Sequence, residues 1–225
     1  MLFEQFKNKL IISCQALPDE PLHSSFIMGR MALAAKQVGA VAIRCQSVED
    51  IVEIKKVTGL PVIGLIKRNY PDSEIYITPT KKEIQELIDC GCEVIALDAT
   101  LRDRPNGDKL EDLVKMIKDA GRLSLADISN DEEGINAQNI GFDAISTTLS
   151  GYTPYTKKRP GPDLGLVARL AATLTIPVFA EGRINTPEDL KNAYDVGAYG
   201  AIVGSAITRP QVIGKWFIDA LPSEK

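Results

Sequence analysis

Residues 177–209 read PVFAEGRINTPEDLKNAYDVGAYGAIVGSAITR, and they contain one complete turn of a repeating pattern. Pro177–Ile184 is a short apolar run. Thr186 follows as a capping oxygen, with Pro187 suited to the first helical position and Asp189 in the first turn. Gly197 ends the helical stretch where a left-handed residue releases the chain, and Ala201–Ile207 begins the next apolar run. A strand, a crossover helix and a second strand, with both strands nearly continuous in apolar residues, predict a parallel pair covered on both faces.

The same rhythm extends back through the chain. Further apolar runs occupy Leu10–Gln15, Ala40–Gln46, Val62–Arg68, Val94–Thr100, Leu123–Ser129 and Ala144–Tyr152. The eight runs start at intervals of roughly 20 to 35 residues, too far apart for a hairpin-rich sandwich. Ser47 with Asp50 and Thr80 with Glu83 place caps before two more helices, the second in the capping-box pattern. Leu110, Leu113, Val114 and Ile117 follow helical spacing, as do Ile84, Leu87 and Ile88. Gly39, Gly59, Gly91, Gly121 and Gly141 end helices as Gly197 does. The chain of 225 residues allots about 28 to each of eight units, which fits a single (β/α)8 barrel over residues 1–225. An open doubly wound sheet is the alternative, and the regularity of eight units favours closure. Val212, Ile213, Trp216 and Phe217 are expected to pack the last helix into the core. The segment GYTPYTKKRPGPD, Gly151 to Asp163, is the most irregular insertion and reads as an active-face loop able to act as a lid.

Composition narrows the chemistry. Hydrophobic residues make up 44% and charged residues 25%, with a net charge of −4. That balance argues against a nucleic-acid partner held by overall charge, while leaving room for a local basic pocket. The one histidine, His23, rules against a zinc site built on several imidazoles, and a local hydrogen-bonding role suits it better than catalysis. Met1–Leu10 lacks the apolar core of a signal peptide and no stretch is long enough to span a membrane. Cys14, Cys45, Cys90 and Cys92 read as reduced and structural, so a cytoplasmic protein is expected.

In a barrel of this type the C-terminal ends of the strands and the loops after them build the site. Those ends are polar here: Gln15, Arg44, Lys67-Arg68, Asp98, Asp127, Glu181-Gly182-Arg183 and Gly204-Ser205. Gln15 follows Ile11 and Ser13 in period 2, Lys67 follows Ile63 and Leu65, Asp127 follows Leu123 and Leu125, and Glu181 follows Phe179. This alternation aims all four into one mouth. For Arg44, Asp98 and Asp127 structural ion pairing competes with function. Gly182 and Gly204-Ser205 fall after strands seven and eight, where barrels bind phosphate through backbone N–H groups. Arg183 and Arg209 are candidates for further anion contacts. Tyr152 and Tyr155 suit either loop packing or substrate contact.

The segments SCQALPDEPLHSS (Ser13–Ser25), VIGLIKR (Val62–Arg68), VIALDAT (Val94–Thr100), ADIS (Ala126–Ser129), TTLSGYTPYT (Thr147–Thr156), FAEGRINTPEDL (Phe179–Leu190) and VGSAITRP (Val203–Pro210), taken together and in order, resemble the N-acetylmannosamine-6-phosphate 2-epimerase family. The resemblance implies a TIM barrel that interconverts N-acetylmannosamine 6-phosphate and N-acetylglucosamine 6-phosphate in sialic acid catabolism, with no metal or organic cofactor. It further implies that Lys67 corresponds to the catalytic lysine and Glu181 to the active-site glutamate. Gln15, Arg44 and Asp127 would be sugar-contacting positions, and Gly182, Arg183, Gly204 and Ser205 would lie in phosphate-binding loops. The chemistry would require a neutral Lys67, its pKa lowered by burial and by Arg44 or Arg68. A Schiff-base role for the lysine, another phosphate-binding isomerase and a non-catalytic sugar-phosphate binder are the competing readings. The small apolar faces at Ala168–Ala172 and on the last helix are suited to a homodimer contact.

Overall fold

In a computed structural model, which describes residues 2–222, the eight apolar runs form eight parallel strands. These are β1 (Leu10–Cys14), β2 (Ala42–Gln46), β3 (Val62–Leu65), β4 (Val94–Asp98), β5 (Leu123–Asp127), β6 (Ala144–Ser146), β7 (Val178–Glu181) and β8 (Gly200–Val203). Each pairs with its sequence neighbour and β8 returns to β1, with Ile202 opposite Ile11, so the sheet closes. Closure decides between the barrel and the open sheet.

Helices follow the strands: α1 (Ser25–Gln37), α2 (Val48–Thr58), α3 (Lys81–Asp89), α4 (Leu110–Asp119), α5 (Asp131–Ile140), α6 (Leu164–Thr173) and α7 (Pro187–Asp195). After β8 come a single turn, α8 (Ser205–Thr208), and then α9 (Pro210–Asp219). The expected caps form. Ser47 accepts from the Asp50 N–H at 3.2 Å, Thr80 and Glu83 make a reciprocal capping box, and Thr186 and Asp189 make another. Each satisfies backbone donors that the first helical turn leaves unpaired. The glycines expected to end helices all have positive φ.

Alternation along each strand sorts side chains into two layers. Ile12, Cys14, Ile43, Cys45, Ile95 and Leu97 face outward against the helices. Ile11, Ala42, Ile63, Leu65, Val94, Ala96, Leu125, Ala144, Phe179 and Ile202 fill the barrel interior. The N-terminal residues, to which the sequence reading assigned no structure, form a 3-10 helix, Leu2–Phe6, that adds Phe3 and Phe6 to the same interior. Phe3 lies 5.8 Å from Phe6 and 5.8 Å from Phe179, ring centroid to centroid. Gly200 makes room for this plug: a Cβ there would stand 2.6 Å from Phe179 Cε1 and 2.9 Å from the Phe6 carbonyl oxygen.

Two expectations need correction. The apolar runs outlast the strands, most clearly at β6, which stops at Ser146 while its run continues to Tyr152. Thr147 to Tyr152 turn instead over the barrel mouth, held by Tyr152 N–H on the Leu149 carbonyl at 2.9 Å. The last helix also does not pack into the core. No residue of α9 is buried, and Trp216, Phe217 and Ile218 are 40%, 73% and 66% exposed. Helical spacing shows that an apolar face exists but not which surface covers it.

Candidate active site

At the C-terminal mouth of the barrel lies a cavity of about 430 Å³. Gln15, Arg44, Lys67, Glu181, Gly182, Arg183, Gly204, Ser205 and Arg209 all line it. Asp127 does not. Its side chain is fully buried behind Arg44, whose two terminal nitrogens donate to its two oxygens at 2.9 and 2.6 Å. This bidentate fork fixes the guanidinium plane. In this arrangement Asp127 reaches the cavity through Arg44.

Arg44 is 1% exposed. One of its terminal nitrogens also reaches Glu181 Oε2 at 3.1 Å. Burial works against the buried charge, but the carboxylates of Asp127 and Glu181 outweigh it and hold the guanidinium above its ordinary pKa. Burial acts on Glu181 in the opposite sense and raises its carboxyl above the usual range. Arg44 counteracts this and Asp127 adds to it. Three donors converge on Glu181 Oε2: Ser146 Oγ at 2.8 Å, Thr148 Oγ1 at 3.0 Å and Arg44.

Lys67 lies two residues beyond β3. It is held there by an antiparallel bridge to Ile77, formed as the chain folds back after the strand. Thr78 anchors that return: its N–H donates to the Ile66 carbonyl at 2.7 Å and its hydroxyl to the Ala96 carbonyl at 2.7 Å. Among the described residues the Lys67 amine has no hydrogen-bond or ion-pair partner. Burial first, then Arg44 and Arg209, lower its pKa from 10.5 to about 8. Arg68 is not part of this effect. Its guanidinium turns to α3 and pairs with Glu83 and Glu86.

The anion-facing side is built from the loops after β7 and β8. Gly182 has a φ of 97°, which lets the backbone turn under the cavity. Arg183 donates to the Gly161 and Ser150 carbonyls at 3.0 and 2.7 Å, and its guanidinium carbon lies 4.8 Å from the centroid of the Tyr152 ring. No carboxylate among the described residues neutralises Arg183. The N–H groups of Ser205 and Ala206 open α8 and have no intrahelical acceptor. Gly204 packs at Ser13, where an added Cβ would come within 3.3 Å of the serine Cβ. Arg209 is tied at 2.6 Å to Glu20, which also receives Gln211 and the Leu17 N–H.

Other expectations resolve by position. His23 contacts the Ala16 carbonyl through Nδ1 at 3.1 Å and does not line the cavity. Asp98 is an ion-pair residue, bound to Arg102 at 2.7 Å and to Thr100. Tyr155 donates to Glu133 at 2.6 Å, a packing contact of the loop, while Tyr152 lines the cavity. Sequence reasoning missed Ser13, Tyr76, Thr148 and Asn185 on the cavity wall and Glu20 behind it. Thr148 continues the inward alternation of Ala144 and Ser146, a signal that was present. Tyr76 and Glu20 sit on irregular loops, where periodicity carries no directional information.

Gln15 donates through its amide nitrogen to Ser13 Oγ at 2.9 Å, while its buried Oε1 has no partner. An unpaired acceptor of this kind on a cavity wall costs free energy. Among the described residues no group of three or more His, Cys, Asp or Glu side chains is arranged to hold a metal. Among the described residues no helix is long and apolar enough to cross a membrane.

The chain and its fold have close counterparts. A family model described as "Putative N-acetylmannosamine-6-phosphate epimerase" matches residues 28–223. A relative from Clostridioides difficile (strain 630), named "Putative N-acetylmannosamine-6-phosphate 2-epimerase", is 62% identical over 98% of this chain and 99% of its own. A relative of the same name from Clostridium perfringens (strain SM101 / Type A) is 64% identical over 98% of this chain and 100% of its own. A solved structure of the N-acetylmannosamine-6-phosphate 2-epimerase from Clostridium perfringens superposes with a TM-score of 0.97 at 63% identity, covering 98% of this chain and 96% of that one. The chain belongs to the N-acetylmannosamine-6-phosphate epimerase family.

Proposed function

We propose that this protein interconverts N-acetylmannosamine 6-phosphate and N-acetylglucosamine 6-phosphate by removing and returning the proton at C2, with no cofactor. The observation that carries this reading is the unpartnered Lys67 amine in the cavity, with its pKa lowered to about 8 and Arg44 nearby. A substantial fraction of such an amine is neutral near physiological pH and able to act as a base.

The sugar must first open, because the C2 proton is acidic only beside a C1 aldehyde. Lys67 then takes the C2 proton as the electron pair passes to the aldehyde oxygen. The buried positive charge of Arg44 stabilises the resulting enolate in a low-dielectric site. Return of a proton to the opposite face of C2 gives the epimer. Glu181 moves protons for ring opening, and Asp127 holds Arg44 in place. Gly182, Arg183, Gly204 and Ser205 bind the phosphate, assisted by Arg209, and the unpaired Oε1 of Gln15 receives a hydroxyl or amide N–H of the sugar. The reaction serves the catabolism of amino sugars derived from sialic acid. We place it in the cytoplasm, because a sugar phosphate does not cross a lipid bilayer unaided.

Proton NMR of N-acetylmannosamine 6-phosphate with the enzyme in deuterium oxide tests the reading. The expected product is N-acetylglucosamine 6-phosphate carrying deuterium at C2. Cleavage fragments, or no conversion, would overturn it.

A further inference from the structure

We propose that Thr148 is a positioning residue whose single hydroxyl proton alternates between Asp127 and Glu181, so that Glu181 is hydrogen-bonded both as a carboxylate and as an acid. The inference deepens the reading above, because it rests on Glu181 moving protons.

The argument is one of counting. Thr148 Oγ1 lies 2.6 Å from Asp127 Oδ1, 2.9 Å from Ser146 Oγ and 3.0 Å from Glu181 Oε2. Ser146 Oγ lies 2.8 Å from the same Glu181 oxygen. Four short oxygen–oxygen contacts thus share the protons of two hydroxyl groups, since each hydroxyl has one hydrogen and two lone pairs. When both carboxylates are ionised, two of the four contacts hold no proton. A proton on Glu181 Oε2 fills a third contact, so the cluster has a place for one additional proton.

The shortest contact, to Asp127, is where the Thr148 proton rests when Glu181 is protonated. A lone pair of the hydroxyl then accepts from Glu181. When Glu181 releases its proton, the Thr148 O–H rotates and donates to the new carboxylate, while Asp127 keeps both bonds from Arg44. The charged groups around Glu181 come from separate elements, Arg44 on β2, Lys67 after β3 and Asp127 on β5, with Tyr76 of the returning segment beside Arg44 and Asp127. Thr148 is the hydroxyl in contact with both carboxylates, and it also lines the cavity. The threefold contact gives it a role that follows the charge of Glu181.

The test compares Thr148→Val, Thr148→Ser and Glu181→Gln by the pH dependence of kcat and KM. Valine preserves the shape and removes the hydroxyl. In the alternation above valine removes two contacts when Glu181 is an acid, the donation to Asp127 and the acceptance from Glu181, and one when it is a carboxylate. The Glu181-dependent limb of the pH profile therefore moves about one unit toward lower pH, apart from the Lys67 rise near pH 8, and kcat falls with KM little changed. Serine restores the wild-type limb. A valine variant with a wild-type profile, or a serine variant that fails to restore it, overturns the role of Thr148 if Glu181→Gln has lost turnover. Full turnover by Glu181→Gln would instead overturn the reading of Glu181 on which it rests.

Discussion

The environment of Lys67 bears on both activity and stability. Burial and the nearby guanidinium groups lower its pKa from 10.5 to about 8, which corresponds to about 3 kcal/mol. Below pH 8 the amine is charged in both the folded and unfolded chains, and folding bears that cost in full. The cost diminishes as pH rises from about 8 to the unfolded value, so the contribution of Lys67 to stability improves with pH in that window. Turnover has the same sign, because the base must be neutral: kcat is expected to rise through pH 8 and level off above it. Lys67→Met removes the proposed base and the buried charge together. It should abolish C2 deuterium exchange while raising Tm at pH 7. A lower Tm in differential scanning calorimetry, or preserved exchange, would contradict the assignment. The position of Lys67 was legible in the sequence from Ile63 and Leu65 in period 2. The source of its second positive neighbour was not, because Arg68 and Arg209 are chemically equivalent candidates until α3 supplies the acids that occupy Arg68.

At the scale of elements, caps and strand periodicity were readable because both are local. The capping boxes before α3 and α7 require four consecutive residues, and the inward set of each strand requires alternation alone. The strand ends were not readable, because a strand stops where its neighbour stops pairing. β3 and β4 pair only at Ile63 with Val94 and at Gly64 with Ile95, so Ile66 and Lys67 leave the sheet although their sequence continues the run. The aromatic plug is another element-scale feature with a measurable consequence. Gly200→Ala would drive a methyl group into Phe179 and the Phe6 carbonyl. Overpacking of this kind costs about 1–3 kcal/mol. Urea denaturation should show that loss; measured against Phe179→Leu alone, the same Gly200→Ala change should cost less, and an undiminished cost would show that the Phe179 ring is not what the methyl group strikes.

For the whole molecule, closure places groups distant in sequence around one cavity: Gln15 on the first strand loop, Arg44, Lys67, Glu181 and finally Arg209 beside Glu20. It also leaves α9 with Trp216, Phe217 and Ile218 largely exposed. An apolar strip of this kind on a water-exposed surface favours association, and a self-complementary contact between two copies is the simplest arrangement that covers it. Light scattering is expected to give the mass of a dimer, and Phe217→Asp should shift it toward the monomer. A monomeric wild-type protein would rule the contact out.

The barrel, its eight units, the caps and the inward direction of Gln15, Lys67 and Glu181 follow from local pattern, because backbone geometry ties side-chain direction to sequence spacing. The pairing of Asp127 with Arg44, the turn of Arg68 away from the cavity, the fit of Phe3 and Phe6 under Gly200 and the exposure of α9 arise only once the barrel closes. Each depends on which group from a remote segment reaches a charge or a surface first, and no spacing along the chain encodes that distance.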